Sequence, residues 1–143
     1  MTELTALYQF AERRQIEIVH FPLPETASMS IEAVPDTYYI GIDEAQLDSS
    51  ASERTHLTHE LGHCVTGSFY NRYAAMDIRQ RHENKADKWA IRKLISKPDL
   101  DTAFAEGHTE LWDLADYFGV TEDFMKKAVC YYAHGNLATE SYF

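Results

Sequence analysis

His59-Glu60-Leu61-Gly62-His63 places two imidazoles and a carboxylate within five residues. On a helix, positions i and i+4 share one face, one turn apart. Two imidazoles so placed can converge on one Zn²⁺, at Zn–N distances of about 2.0–2.1 Å. Glu60 sits about 100° further round the helix, off the metal but beside a water that the metal activates. The pattern therefore predicts two ligands, His59 and His63, and one general base, Glu60, for metal-assisted hydrolysis. The competing reading is a pair of surface histidines with no metal between them.

Catalytic zinc takes three protein ligands and a water, so a third must come from elsewhere. His56, His82, Glu83, Asp87 and Cys130 are the candidates. His56 shares a face with His59 and His63 but lies about 10.5 Å along the helix from His63, too far to join them. It is expected to be a neighbouring polar or core histidine. Glu83 and Asp87 stand one turn apart at the start of the next strong helix, where both can face the first. Glu83 is the preferred ligand. Asp87 then becomes the acceptor that fixes a ligand tautomer, that of His59; the plainer alternative is a solvated partner of Lys88 or Arg92. His82 stays open as a ligand, and Cys130 would be a fourth if the site were structural. An oxyanion donor is also required. Tyr38, Tyr39, Tyr70, Tyr73, His82 and His108 each qualify, and the sequence does not choose among them.

The elements that must hold these residues follow from periodicity and punctuation. Leu4, Leu7, Tyr8 and Ala11 predict a first helix over 2–14. Residues 16–21, 29–34 and 37–42 read as three short strands, the last two separated by Pro35-Asp36, and together suggest a small antiparallel sheet. Ser50-Ala51-Ser52-Glu53 has the form of a capping box and starts the next helix near Ala51. Leu57, Leu61, Cys64 and Val65 are its apolar face, and Gly67 or Tyr70 ends it. A second strong helix spans 82–96 and stops at Lys97-Pro98. A short helix over 99–106 and two more, over 110–118 and 122–133, complete the chain, with Gly119 as stop and Thr121 as N-cap of the last pair. The fold class is α+β: a three-stranded antiparallel sheet on a mainly helical domain, with a zincin-like HExxH helix. Residues 1–143 form one domain, a core over 1–107 followed by a C-terminal helical subdomain over 108–143.

With 143 residues, 45% of them hydrophobic, the chain can build one sizeable core. A net charge of −10 opposes direct binding of nucleic acid, whose affinity comes from Lys and Arg against phosphate. Leu111–Thr121 resembles the first helix and turn of a helix-turn-helix. Residues 109–143 nevertheless hold six acidic side chains against two lysines, and the would-be recognition helix begins Glu122-Asp123. A packing or partner-docking role is expected instead. Cys64 and Cys130 form no CxxC pair and are expected as buried free thiols of a reducing cytoplasm. No apolar run approaches the length of a membrane span, and residues 2–15 lack the apolar segment of a secretion signal.

His59–His63 followed by Glu83-Asn84-Lys85-Ala86-Asp87-Lys88-Trp89-Ala90 resembles the ImmA/IrrE family of metallopeptidases. The Tyr38–Ile42 strand and the Leu114–Val120 segment are similar to family members from phages and mobile elements of Gram-positive bacteria. The resemblance covers roughly 16–133. It implies a HExxH helix followed by a helix whose Glu83 is the third zinc ligand, as in gluzincin peptidases more widely. It also implies an anti-repressor whose protein substrate is a DNA-binding helix-turn-helix repressor, cut at a specific site.

Overall fold

The computed structural model describes residues 3–137. Its elements run α1 (Leu4–Arg13), β1 (Glu17–His20), β2 (Ser28–Val34), β3 (Thr37–Ile42), a 3₁₀ turn (Glu44–Gln46), α2 (Ser50–Thr66), α3 (Met76–Leu94), α4 (Lys97–Ala105), α5 (Leu111–Phe118) and α6 (Glu122–His134). The class is α+β, with six helices and one three-stranded sheet among the described residues.

The sheet departs from expectation in one respect. Its order is β1-β3-β2, and β1 runs parallel to β3 while β2 runs antiparallel to it. Strands that alternate in direction are antiparallel throughout only when they lie in sequence order. Here residues 21–27, with Pro22 and Pro24, carry the chain past the position β3 will take. β2 forms on the far side and turns back at Pro35-Asp36, with Asp36 in the left-handed region at φ 64°. β3 then enters beside β1 with the same sense. Asp tolerates that backbone better than most residues. The register puts Ser28, Ile42 and His20 in one row and Ser30, Ile40 and Ile18 in the next, on one face. Ile40 and Ile42 are fully buried on that face.

α2 starts one residue earlier than its capping box suggests. Ser49, not Ser50, is the N-cap, and its hydroxyl accepts from the Ser52 N–H. Glu53 instead accepts from the Tyr8 hydroxyl at 3.2 Å, tying α1 to α2. Leu57, Leu61 and Cys64 are buried as expected. α3 begins at Met76 rather than near residue 82, because the apolar residues of its first turns, Met76 and Ile78, are exposed and show no helical period. Ser96 caps α4 and Pro98 occupies its first turn, so Lys97-Pro98 opens a helix as well as closing one. Leu57, Leu61, Ala90, Ile91, Leu114, Phe118 and Met125 share one buried cluster, which spans the helices and Ile40 and Ile42 of the sheet.

Candidate metal centre and cleft

His59 and His63 project from consecutive turns of α2, and Glu83 from α3 beside it. Their three ligand atoms lie within 4.8 Å of one another. His59 Nε2 is 2.8 Å from Glu83 Oε2 and 3.2 Å from His63 Nε2, and His63 Nε2 is 3.2 Å from Glu83 Oε1. Ligand atoms around a tetrahedral zinc ion would be about 3.3 Å apart. The observed spacings, with each imidazole facing a different Glu83 oxygen, are shorter than that, so the three side chains would spread slightly around an ion.

The outer nitrogens decide what the inner ones can do. His59 Nδ1 faces Asp87 Oδ1 at 2.8 Å, and His63 Nδ1 faces the Ser68 carbonyl at 2.6 Å. Both acceptors call for the proton on Nδ1, which leaves a lone pair on each Nε2. Two lone pairs and a carboxylate then face one another, an arrangement that needs a cation between them. Without a metal, a proton serves. Burial opposes charge on His59, but hydrogen bonds to Asp87 and Glu83 outweigh it and push its pKa up to about 10. Burial likewise works against the charge of Glu83 and Asp87, yet His59 and its other partners hold both carboxyls well below the usual range. The donor set, two imidazoles and one carboxylate with the second nitrogens already engaged, fits a divalent transition metal.

Local structure explains the placement. α2 ends at Gly67, at φ 66°, and the chain folds back so that the Ser68 carbonyl meets His63. α3 approaches α2 closely at Gly62. Asp87 is buried between the helices, and its other oxygen accepts from Lys127 of α6 at 3.1 Å. The cation paired with Asp87 therefore comes from the C-terminal helix, and Arg92 instead donates to the Tyr131 hydroxyl. Glu60 is also buried, and each of its oxygens accepts from a serine of β2: Oε2 from Ser28 at 2.7 Å and Oε1 from Ser30 at 2.8 Å. His59, Glu60, His63 and Glu83 border an open cleft of about 470 Å³, with Met29, Phe69 and Tyr70 on its walls.

The model of the peptidase M78 family, described as the IrrE N-terminal-like domain, matches residues 11–129. The chain belongs to that family. Membership in peptidase M78 supports a metallopeptidase-type function, and the His59, His63, Glu83 cluster sits where a metal ion would be held. No curated protein and no solved structure matches this member of the family.

The remaining candidates separate cleanly. His56 lies on the cleft wall, with Nδ1 3.1 Å from Ser28 Oγ, and is not in the ligand cluster. His82 stacks against Tyr70 with its Nδ1 buried and without a hydrogen-bond partner among the described residues. Cys130 is half-buried on α6 and directs its thiol to the Asn136 carbonyl, away from any fourth-ligand position, while Cys64 is buried. Of the six weighed oxyanion donors, only Tyr70 lines the cleft, where its hydroxyl donates to Glu83 Oε1 at 2.7 Å. Tyr38 stacks on Phe69, and His108 pairs with Asp113. Sequence reading missed Ser28, Ser30 and Ser68. The signal for the first two was the Ser-x-Ser alternation on a strand, which puts both hydroxyls on one face. No described helix is long and apolar enough to cross a membrane.

Proposed function

We propose that this chain is a zinc-dependent endopeptidase of the cytoplasm, acting on a protein substrate and not directly on nucleic acid. The substrate class is a DNA-binding helix-turn-helix repressor of a phage or mobile element, which makes the chain an anti-repressor. The observation that carries the reading is the convergence of His59, His63 and Glu83 on the cleft, with Glu60 one residue from a ligand. Family membership supports it, and the resemblance of the two motif helices to ImmA/IrrE proteins supplies the substrate class.

When bound, zinc supplies Lewis-acid chemistry, polarising a peptide carbonyl and acidifying water. His59, His63 and Glu83 would hold it. Asp87 and the Ser68 carbonyl keep the imidazole protons on Nδ1, so that both Nε2 atoms serve as ligands. Glu60 accepts the proton of the attacking water and returns it to the leaving amine. The Tyr70 hydroxyl, which donates to Glu83 Oε1 here, would have to turn from that carboxylate to donate to the oxygen that gains charge. Removing such a donor costs about 10²–10³ in kcat.

The test incubates the zinc-loaded chain with the repressor encoded beside it and follows fragments by mass spectrometry. Wild type should cut at one site, and Glu60→Gln should keep zinc and fold yet lose cleavage. Cleavage by Glu60→Gln at the wild-type rate refutes the base assignment. Intact repressor that is released from DNA equally by both proteins would instead show a zinc-containing protein that inactivates its partner by contact alone.

A further inference from the structure

The buried face of the sheet carries two hydroxyls where packing alone would favour apolar, β-branched residues. Ser28 shares its row with Ile42 and Ser30 shares its row with Ile40, both isoleucines being fully buried. Both serines donate to one carboxylate, one to each oxygen of Glu60. Ser28 is itself constrained. Its hydroxyl is committed to Glu60, so the proton in its contact with His56 comes from His56 Nδ1, at 3.1 Å. The Thr26 hydroxyl donates to the Ser28 carbonyl at 2.9 Å. A carboxylate has about four lone-pair sites, so two remain for a water in the cleft. The strand thereby sets the angle at which those two are presented.

We propose that Ser28 and Ser30 are positioning residues for the general base. They clamp the Glu60 carboxylate so that its free lone pairs face the reacting centre, and His56 orients Ser28 in turn. The proposal rests on the zinc-peptidase reading of Glu60. It makes β2 part of the chemical apparatus as well as a wall of the cleft. A buried carboxylate needs donors for stability alone, so the test must read the orientation of Glu60 separately from the integrity of the fold.

The zinc-loaded full chain is titrated with acetohydroxamic acid by calorimetry. This probe binds only where the metal is held and gives its proton to the base alongside, so its affinity reports on Glu60 without a known substrate. Glu60→Gln sets the size of the signal. Ser28→Ala and Ser30→Ala are each expected to weaken the probe about tenfold, a typical cost for losing a supporting partner. Zinc affinity, read by chelator competition, should stay at the wild-type value. Ser28→Thr and Ser30→Thr keep the hydroxyl and should restore binding. In the Glu60→Gln background the serine substitutions should cost nothing further, because the pair acts as a unit. Ser28→Cys and Ser30→Cys keep the shape but weaken the donor, and they carry the test if an alanine variant does not fold.

Wild-type probe affinity in the Ser28→Ala and Ser30→Ala variants, with Glu60→Gln weakened, overturns the clamp and leaves the role of Glu60 standing. Equal affinity in wild type and Glu60→Gln removes Glu60 as the base, and the clamp with it. Failure of the wild-type chain to bind zinc overturns both this inference and the peptidase reading.

Discussion

His59 holds a proton in the metal-free chain at pH values where a free imidazole has lost it. Its pKa is pushed up to about 10 from an ordinary 6.5 because Asp87 and Glu83 face its two nitrogens. A metal and that proton compete for Nε2. Binding of zinc near pH 7.5 should therefore release about one proton. Calorimetry in two buffers of different ionisation enthalpy counts it, and a count of zero would mean that His59 is not displaced. The same shift sets the stability of the metal-free chain. A raised histidine pKa stabilises the fold fully below pH 6.5, and that share is lost as pH rises toward 10. Glu83 and Asp87 act in the opposite sense. Their carboxyls are held below ordinary values of 4.5 and 3.8, so their share is present above those values and lost below. The Tm of chelator-stripped protein should peak between about pH 4.5 and 6.5 and fall toward pH 10. Zinc should remove the alkaline fall, since the bound imidazole has no such proton to lose.

At the scale of elements, the distance between α2 and α3 controls the site, because the ligands are divided between them. Gly62 sits at their closest approach. A Cβ built there would lie 2.6 Å from the Ala86 carbonyl oxygen and 3.1 Å from its Cα. Backbone atoms of a packed helix do not move aside cheaply. Gly62→Ala should therefore push the helices apart and carry Glu83 away from the two imidazoles. Overpacking costs about 1–3 kcal/mol, offset in part by the roughly 1 kcal/mol that Ala gains over Gly in a helix. The larger effect should fall on zinc affinity, read by chelator competition. A Gly62→Ala chain with wild-type affinity would show that the helices can separate without loss of the site. The two motif helices were the most legible part of the sequence, since His59, Glu60 and His63 carry their own spacing and Leu57, Leu61 and Ala90 their own period. The reason for Gly62 was not legible, because a glycine between two histidines gives no sign of the helix that will lie on it. The start of α3 was hidden for a related reason. In residues 76–81 the two apolar side chains, Met76 and Ile78, are exposed and set no helical period, and only the fold shows that the segment is helical.

At the scale of the whole molecule, the pairings that were hardest to read are those between residues distant in sequence. The parallel β1–β3 pair depends on where residues 21–27 carry the chain, and Asp87 takes its cation from Lys127, forty residues away. Arg54 is the strongest case. In the sequence it is one more charged residue on a helix, of a type mostly found at protein surfaces. In the structure it is buried, and its Nη1 donates to the carbonyls of Phe118 at 2.6 Å and Gly119 at 2.5 Å. These carbonyls close α5, at the negative end of its dipole and where intrahelical partners run out. One residue further along α2, the Thr55 hydroxyl accepts from the Thr121 N–H, at the start of α6. The helix that carries His59 and His63 thus also holds the C-terminal pair, whose Leu114, Phe118 and Met125 share the core with Leu57 and Leu61. Arg54→Met keeps most of the side-chain volume but leaves buried acceptors without their donor. That should lower the free energy of unfolding by about 1–3 kcal/mol. Urea denaturation of the zinc-loaded chain should show the loss as one transition moved to lower urea, because the C-terminal pair and the metal helix unfold together. Two separate transitions in Arg54→Met, or no change in midpoint, would mean that α5 and α6 stand without this tie.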